Sequence, residues 1–262
     1  MRGAYRSCLL RRMEDQFSLE GKTAIVTGGS RGIGYAIAAA FIQKGARVVI
    51  SARGEATLME AANSLGGNCI GKRCDNADPG DIARFVDEAW RLSPVDILVN
   101  NAGISPFYKR AEQVTADEFD QVVGVNLRGT YFCSVEVAKR AFEAQRPLAI
   151  VNVSSVGGTA PLERLGVYGA TKAGINLLTK SMALEWADRG VRVNCIAPGW
   201  TETEFTDDLF ASRWGDKLRN DIPMGRFAAG DDISGAAVFL ASDAARYVTG
   251  AIVPVDGGRL LR

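Results

Sequence analysis

What most limits the fold of this chain is a regular alternation of short, largely apolar runs with helix-length amphipathic stretches. Thr23–Thr27, Arg47–Ser51, Asp96–Asn100, Leu148–Ser154 and Val191–Ile196 have strand length and little polar alternation, as expected of strands covered on both faces. Cys69–Cys74 and Ala251–Val255 are weaker strands. Between them, Ile33–Lys44, Glu55–Leu65, Pro79–Leu92, Tyr168–Arg189 and Asp231–Ala241 read as helices. Asp78 is an N-cap for the third of these, and Gly45 and Gly190 are C-terminal stops. Ala116–Arg146 reads as a long helical region broken near Gly129. Such a pattern specifies an α/β fold, a doubly wound parallel sheet with helices on both faces. No repeat or low-complexity linker divides the 262 residues, so residues 17–262 are expected to form one domain. Residues 1–16 read as a disordered extension, and Trp200–Met224, rich in acidic and aromatic residues, as an inserted mobile flap.

Composition narrows the chemistry. The chain contains no histidine, which removes Ser-His-Asp and Cys-His nucleophiles, His-ligated zinc and imidazole switching. The five cysteines, Cys8, Cys69, Cys74, Cys133 and Cys195, form no C-x-x-C pair. They read as reduced thiols of a cytoplasmic protein, and no metal is expected. A net charge of +1 argues against a nucleic-acid partner. No apolar run reaches the roughly 18 residues of a membrane span. Arg2, Arg6, Arg11 and Arg12 make the first residues basic, a pattern shared by short targeting segments and by plain extensions ahead of Met13.

The first strand runs into Thr27-Gly28-Gly29-Ser30-Arg31-Gly32-Ile33-Gly34 and then into a helix. The strict G-x-G-x-x-G spacing is absent, but the order of strand, glycine turn and helix N-terminus suits a diphosphate, which can accept from backbone amides there. The second strand ends Ser51-Ala52-Arg53 with no carboxylate before Glu55, where an NAD site commonly has an acid. Arg31 and Arg53 are suited to hold a 2′-phosphate, so NADP(H) is the expected cofactor.

Without histidine, acid-base work falls to Tyr, Lys, Asp, Glu or Cys. Tyr168-Gly169-Ala170-Thr171-Lys172 places a phenol and an ammonium on one face of a helix start, where the cation would lower the phenol pKa. Ser154-Ser155 ends the fifth strand, Asn100-Asn101-Ala102-Gly103 the fourth, and Pro198-Gly199 follows the sixth, so three loops converge on one crevice.

Together with Asp75-Asn76, Asn126 and the closing Asp256-Gly257-Gly258, these motifs resemble the classical short-chain dehydrogenase/reductase family over about Leu19 to Gly258. The resemblance implies a seven-stranded Rossmann sheet and a tetrad of Asn126, Ser155, Tyr168 and Lys172. In that scheme Tyr168 exchanges the proton with the substrate oxygen and Ser155 hydrogen-bonds it, while Ser154 is structural. Lys172 lowers the tyrosine pKa and binds nicotinamide ribose, and Asn126 holds a relay water. The implied cofactor site comprises Gly28, Ser30, Arg31, Gly32, Ile33, Gly34, Arg53, Asp75, Asn76, Asn101, Ala102, Gly103, Tyr168, Lys172, Pro198, Gly199, Thr201 and Thr203.

The resemblance further implies hydride transfer between NADP(H) and a carbonyl or secondary alcohol. The pattern is nearest to 3-oxoacyl-acyl-carrier-protein reductases, with sugar, polyol and small-ketone dehydrogenases as the alternative, and a catalytically silent cofactor sensor further off. Substrate contacts are expected from Ile104–Tyr108, Gly157–Leu165 and the flap, with its Trp200, Phe205, Leu209, Phe210 and Trp214. Arg110, Arg128 and Arg164 are candidate contacts for acyl carrier protein. The family also implies a homotetramer, built on the Ala116–Arg146 and Tyr168–Arg189 helices and the C-terminal strand.

Overall fold

The computed structural model describes residues 15–203, 206, 210 and 214–262. Cys8, nearly all of the N-terminal extension, and Phe205 and Leu209 of the flap lie outside the described residues. The strands are β1 (Thr23–Thr27), β2 (Arg47–Ala52), β3 (Cys69–Arg73), β4 (Ile97–Asn100), β5 (Leu148–Val153), β6 (Val191–Pro198) and β7 (Ile252–Val255). The helices are α1 (Gly32–Gln43), α2 (Glu55–Leu65), α3 (Pro79–Leu92), α4 (Ala116–Val123), α5 (Gly129–Glu143), α6 (Gly166–Trp186), α7 (Gly215–Asn220) and α8 (Gly230–Ala241).

All seven strands pair in parallel in the order β3-β2-β1-β4-β5-β6-β7. The order reverses between β1 and β4, and a crevice opens at such a switch point beyond the carboxyl ends of the strands. Successive residues of one strand enter opposite cores. Ala24 and Val26 join Ile37, Phe41 and Ile233 on one face, while Ile25 joins Ile82, Phe85 and Val193 on the other. This is the reason the strands read as continuous apolar runs.

Asp78 caps α3 as expected, its Oδ1 accepting from the amides of Gly80 at 2.7 Å and Asp81 at 3.2 Å. β6 runs beyond Ile196, because Ala197 and Pro198 pair with Pro254 and Val255 of β7. The long helical region is interrupted earlier than Gly129, by a π-turn over Gly124–Arg128 that joins α4 to α5. Gly129 itself is required by packing, because a Cβ there would run into the Asn76 carbonyl and side-chain amide.

Candidate active site

The glycine turn crosses the switch point with Gly28 at φ +64°, where a Cβ would stand 2.9 Å from the Ala102 Cα. Asn101 closes the turn from the β4 side, its Nδ2 donating to the carbonyls of Thr27 and Gly28 at 3.0 Å each. The Thr27 hydroxyl accepts from the amides of Asn101 and Ala102 at 3.1 Å. Thr27 was not among the sequence-predicted site residues, although a hydroxyl closing the strand before the glycine turn was the available signal. Gly34 lies behind the cradle wall, where any side chain would meet the Gly28 carbonyl and Asn101 Nδ2.

Two adjoining stretches of cleft share Gly28, Arg31, Ala102 and Gly103 and form one groove along the carboxyl edge of the sheet. One end is lined by Ser30, Arg53, Asp75 and Asn76, with Tyr35 and Ser64 joined by a 2.9 Å hydrogen bond. Among the described residues Arg53 makes no ion pair, and it projects exposed at this end. Asn76 Nδ2 donates to the Val125 carbonyl at 3.0 Å, leaving Oδ1 buried without a partner. Asp75 Oδ1 accepts from the Ala77 amide. The other end is lined by Gly32, Ile33, Ser155, Tyr168, Lys172, Pro198, Gly199, Thr201 and Thr203, with Ser105, Leu162, Leu165 and Trp200 beyond them.

Tyr168 and Lys172 share the start of α6, with Nζ 5.5 Å from the phenol ring centroid. Lys172 is 4% exposed and donates to the Val153 carbonyl at 2.8 Å. Burial lowers its pKa to about 8. Burial raises the Tyr168 pKa, and the hydrogen bond with Ser155 works in the opposite direction. The expected lowering of the tyrosine by its lysine is therefore not what dominates here, because desolvation of the buried phenol sets the direction of the shift. Ser155 Oγ also accepts from the Gly157 amide at 3.0 Å, which fixes its rotamer. Ser154 Oγ instead donates to the Lys172 carbonyl at 3.0 Å.

Asn126 does not line the cleft. It is fully buried in the π-turn, where Oδ1 accepts from the Ile104 amide at 2.8 Å and Nδ2 donates to the Ile104 carbonyl at 2.9 Å. Nδ2 also reaches Thr171 Oγ1 at 3.3 Å, whose hydroxyl donates to the Tyr168 carbonyl at 2.7 Å. The amide thus ties the loop after β4 to the helix carrying Tyr168. Thr171 is a supporting residue that sequence reasoning passed over, although it lies within the Tyr168–Lys172 motif. A π-turn at such a position is frequent near functional sites, since the extra residue re-aims a side chain.

The fold and groove define a nucleotide-binding α/β domain with a phenol, an ammonium and a hydroxyl gathered at one end. A family model described as enoyl-(acyl carrier protein) reductase matches residues 28–259. The chain is 40% identical over 250 residues to D-threitol dehydrogenase of Mycolicibacterium smegmatis, covering 94% of this chain and 95% of that one. A putative NAD(P)-dependent gluconate 5-dehydrogenase from Beutenbergia cavernae, solved with NADP, superposes with a TM-score of 0.90 at 37% identity, covering 94% of this chain and 100% of that one. The 3-ketoacyl-(acyl-carrier-protein) reductase of Brucella melitensis, solved with NADH, gives 0.88 at 37% identity, covering 92% and 99%. The chain belongs to the classical short-chain dehydrogenase/reductase family of oxidoreductases.

No helix among the described residues is long and apolar enough to cross a membrane, and none of their acidic and sulfur side chains group as a metal site.

Proposed function

We propose that this protein is an NADP(H)-dependent oxidoreductase that interconverts a secondary alcohol and a ketone on a small hydroxylated molecule of the sugar or polyol kind. The observation that carries this reading is the meeting of Tyr168, Ser155 and Lys172 at one end of a glycine-cradled groove. The residues fit a dinucleotide. Gly28 leaves room for close backbone approach, the N-terminus of α1 favours anions, and the orphaned Asn76 Oδ1 offers an acceptor at the adenosine end. Gly28, Ser30, Arg31, Gly32 and Ile33 would hold the diphosphate and Arg53 the 2′-phosphate. Asp75, Asn76, Asn101, Ala102 and Gly103 would hold the adenosine half, and Lys172, Pro198, Gly199, Thr201 and Thr203 the nicotinamide half. When bound, the nicotinamide supplies or accepts the hydride.

The chain's own residues handle the proton. Burial keeps the Tyr168 phenol protonated at neutral pH, ready to pass its proton to the oxygen of a ketone being reduced. Ser155 donates to the same oxygen and stabilises its developing charge. Lys172, whose pKa burial lowers to about 8, is a cation below that pH and there places positive charge beside the phenol. Asn126 braces the loop after β4 against α6 through Ile104 and Thr171, which supports a positioning role rather than direct contact.

A 3-oxoacyl thioester on acyl carrier protein is the second reading, favoured by the apolar side chains of Val156, Leu162 and Leu165 in the cleft. We further propose one domain over residues 17–262, with the segment at about 200–224 framing the substrate end. A homotetramer is also proposed, supported by exposed Phe119, Tyr131, Leu177 and Leu184 on α4, α5 and α6. A cytoplasmic setting agrees with the free thiols of Cys69, Cys74, Cys133 and Cys195. NADPH consumption with a panel of hydroxyketones, ketosugars and acetoacetyl thioesters tests the reading. Turnover with hydroxyketones is expected, preferential turnover of thioesters would install the second reading, and inertness towards all of them would reject both. Solution mass tests the tetramer.

A further inference from the structure

Ser155, which hydrogen-bonds Tyr168, opens the short 3-10 turn Val156–Gly158 after β5. That turn lies on α6 at three successive places. The Gly157 carbonyl abuts Gly169, where a Cβ would stand 2.9 Å from its oxygen, and a Cβ on Gly158 would stand 2.7 Å from the Lys172 carbonyl carbon. One helical turn further on, Asn176 Nδ2 donates to the Gly158 carbonyl at 3.1 Å. Gly169, Lys172 and Asn176 have the spacing of one helix face, so the turn runs along α6 from the phenol end. The other end of the Asn176 amide is held by β6, whose Cys195 Sγ donates to Oδ1 at 3.6 Å. Both side chains are buried, Cys195 completely and Asn176 to 9% exposure. One amide thus joins the helix that carries Tyr168, the turn that follows Ser155 and the strand that ends at Pro198.

The glycine contacts set how closely the turn approaches α6, but they are not directional. A carbonyl gripped by an amide is, since a hydrogen bond weakens steeply off its axis, and it fixes where along the helix the turn sits. The Gly157 amide of the same turn donates to Ser155 Oγ at 3.0 Å, so a displaced turn would carry the serine hydroxyl with it. We propose that Asn176 is a positioning residue that sets Ser155 against Tyr168 by holding the Gly158 carbonyl in register on α6. It lies behind the groove lining and acts through the Val156–Gly158 turn. Cys195 has a part in this, because a thiol donor on Oδ1 leaves Nδ2 turned towards Gly158. The inference rests on the roles given to Tyr168 and Ser155 under Proposed function.

The test is a double-mutant cycle of Asn176→Leu with Ser155→Ala. It is read by single turnover at saturating NADPH, with the carbonyl compound of the panel that the wild type reduces fastest. Leucine keeps the approximate shape of asparagine and removes the donor. With Ser155 present, Asn176→Leu is expected to lower the rate roughly tenfold to a hundredfold while NADPH binding stays unchanged. In Ser155→Ala the same change is expected to cost less than about twofold, because the group it positions is already gone. An equal loss in both backgrounds overturns the proposal, since Asn176 would then act on the fold and not through Ser155. An unchanged rate, or a loss explained by weaker NADPH binding, overturns it too. A wild type that reduces nothing in the panel fails the underlying reading instead, and the proposal with it. Should Asn176→Leu not fold, Asn176→Ala, which leaves a space where leucine fills it, goes through the same cycle with the same outcomes.

Discussion

Asn126 and Ile104 hold each other by two hydrogen bonds, the side-chain amide pairing with both the N–H and the C=O of one residue at 2.8 and 2.9 Å. The pairing mimics a strand ladder across a loop and fixes where the chain leaves β4 toward the cleft. Asn126→Leu would leave the Ile104 groups without partners, at a cost of about 1–3 kcal/mol each where they are buried. The expected result is a lower Tm together with a kcat reduced about a hundredfold, since a small misplacement of reacting groups is enough for that. Thermal unfolding and steady-state kinetics on the same preparation check it. A normal kcat would show that the brace does not position the site.

Tyr168→Phe removes the proton donor and little else, because the ring remains. Turnover should fall by at least about 10²–10⁴, while NADPH binding, followed by quenching of protein fluorescence, should persist. A variant that turns over at the normal rate would overturn the assignment of the phenol.

Lys172 titrates near 8 in the folded protein, against an ordinary value of 10.5. Between those values the unfolded chain binds one proton more than the folded chain at this site, so this group makes stability rise with pH across that window. Lys172→Met should flatten that rise in denaturant titrations performed at neutral and alkaline pH. Ketone reduction in the wild type should fall as pH climbs past about 8, where the cation beside Tyr168 is lost. A reduction rate that stays level there would argue against the charge at Lys172 being needed.

Arg53 directly follows β2, with no carboxylate before Glu55, and stands exposed at the end of the groove lined by Asp75 and Asn76. Charge-assisted hydrogen bonds to phosphate contribute about 1.5–3 kcal/mol. Arg53→Ala should therefore lower the preference for NADPH over NADH by roughly tenfold to a hundredfold in kcat/KM. A wild type that prefers NADH would show the arginine reading to be wrong.

Gly129 is confined by the Asn76 carbonyl and side-chain amide. Gly129→Ala should destabilise the protein by about 1–3 kcal/mol, as overpacking does, despite the better helix propensity of alanine. Chemical denaturation measures this, and a gain in stability would show that the junction yields.

The sheet was legible in the chain because strands buried on both faces must be apolar throughout, and few other arrangements tolerate that pattern. The glycine turn was legible for a related reason, since its place after the first strand put helix amides at the sheet edge. Tyr168, Lys172 and Ser155 came from spacing and family likeness, and the folded chain brings all three to one end of the groove. Other features depended on contacts distant in sequence. The π-turn at Gly124–Arg128 is met by Asn76, some fifty residues earlier, through a hydrogen bond to Val125.

The electrostatics were likewise decided in three dimensions. Sequence placed a cation four residues from a phenol and implied a lowered tyrosine pKa. Burial instead raises that pKa and lowers the lysine's to about 8, because desolvation penalises the charged form of each group. The chain by itself thus determined the layers, the order of chemistry-bearing loops and the absence of imidazole. Only the tertiary structure decided which of those groups keep their protons, because that depends on what burial removes from water.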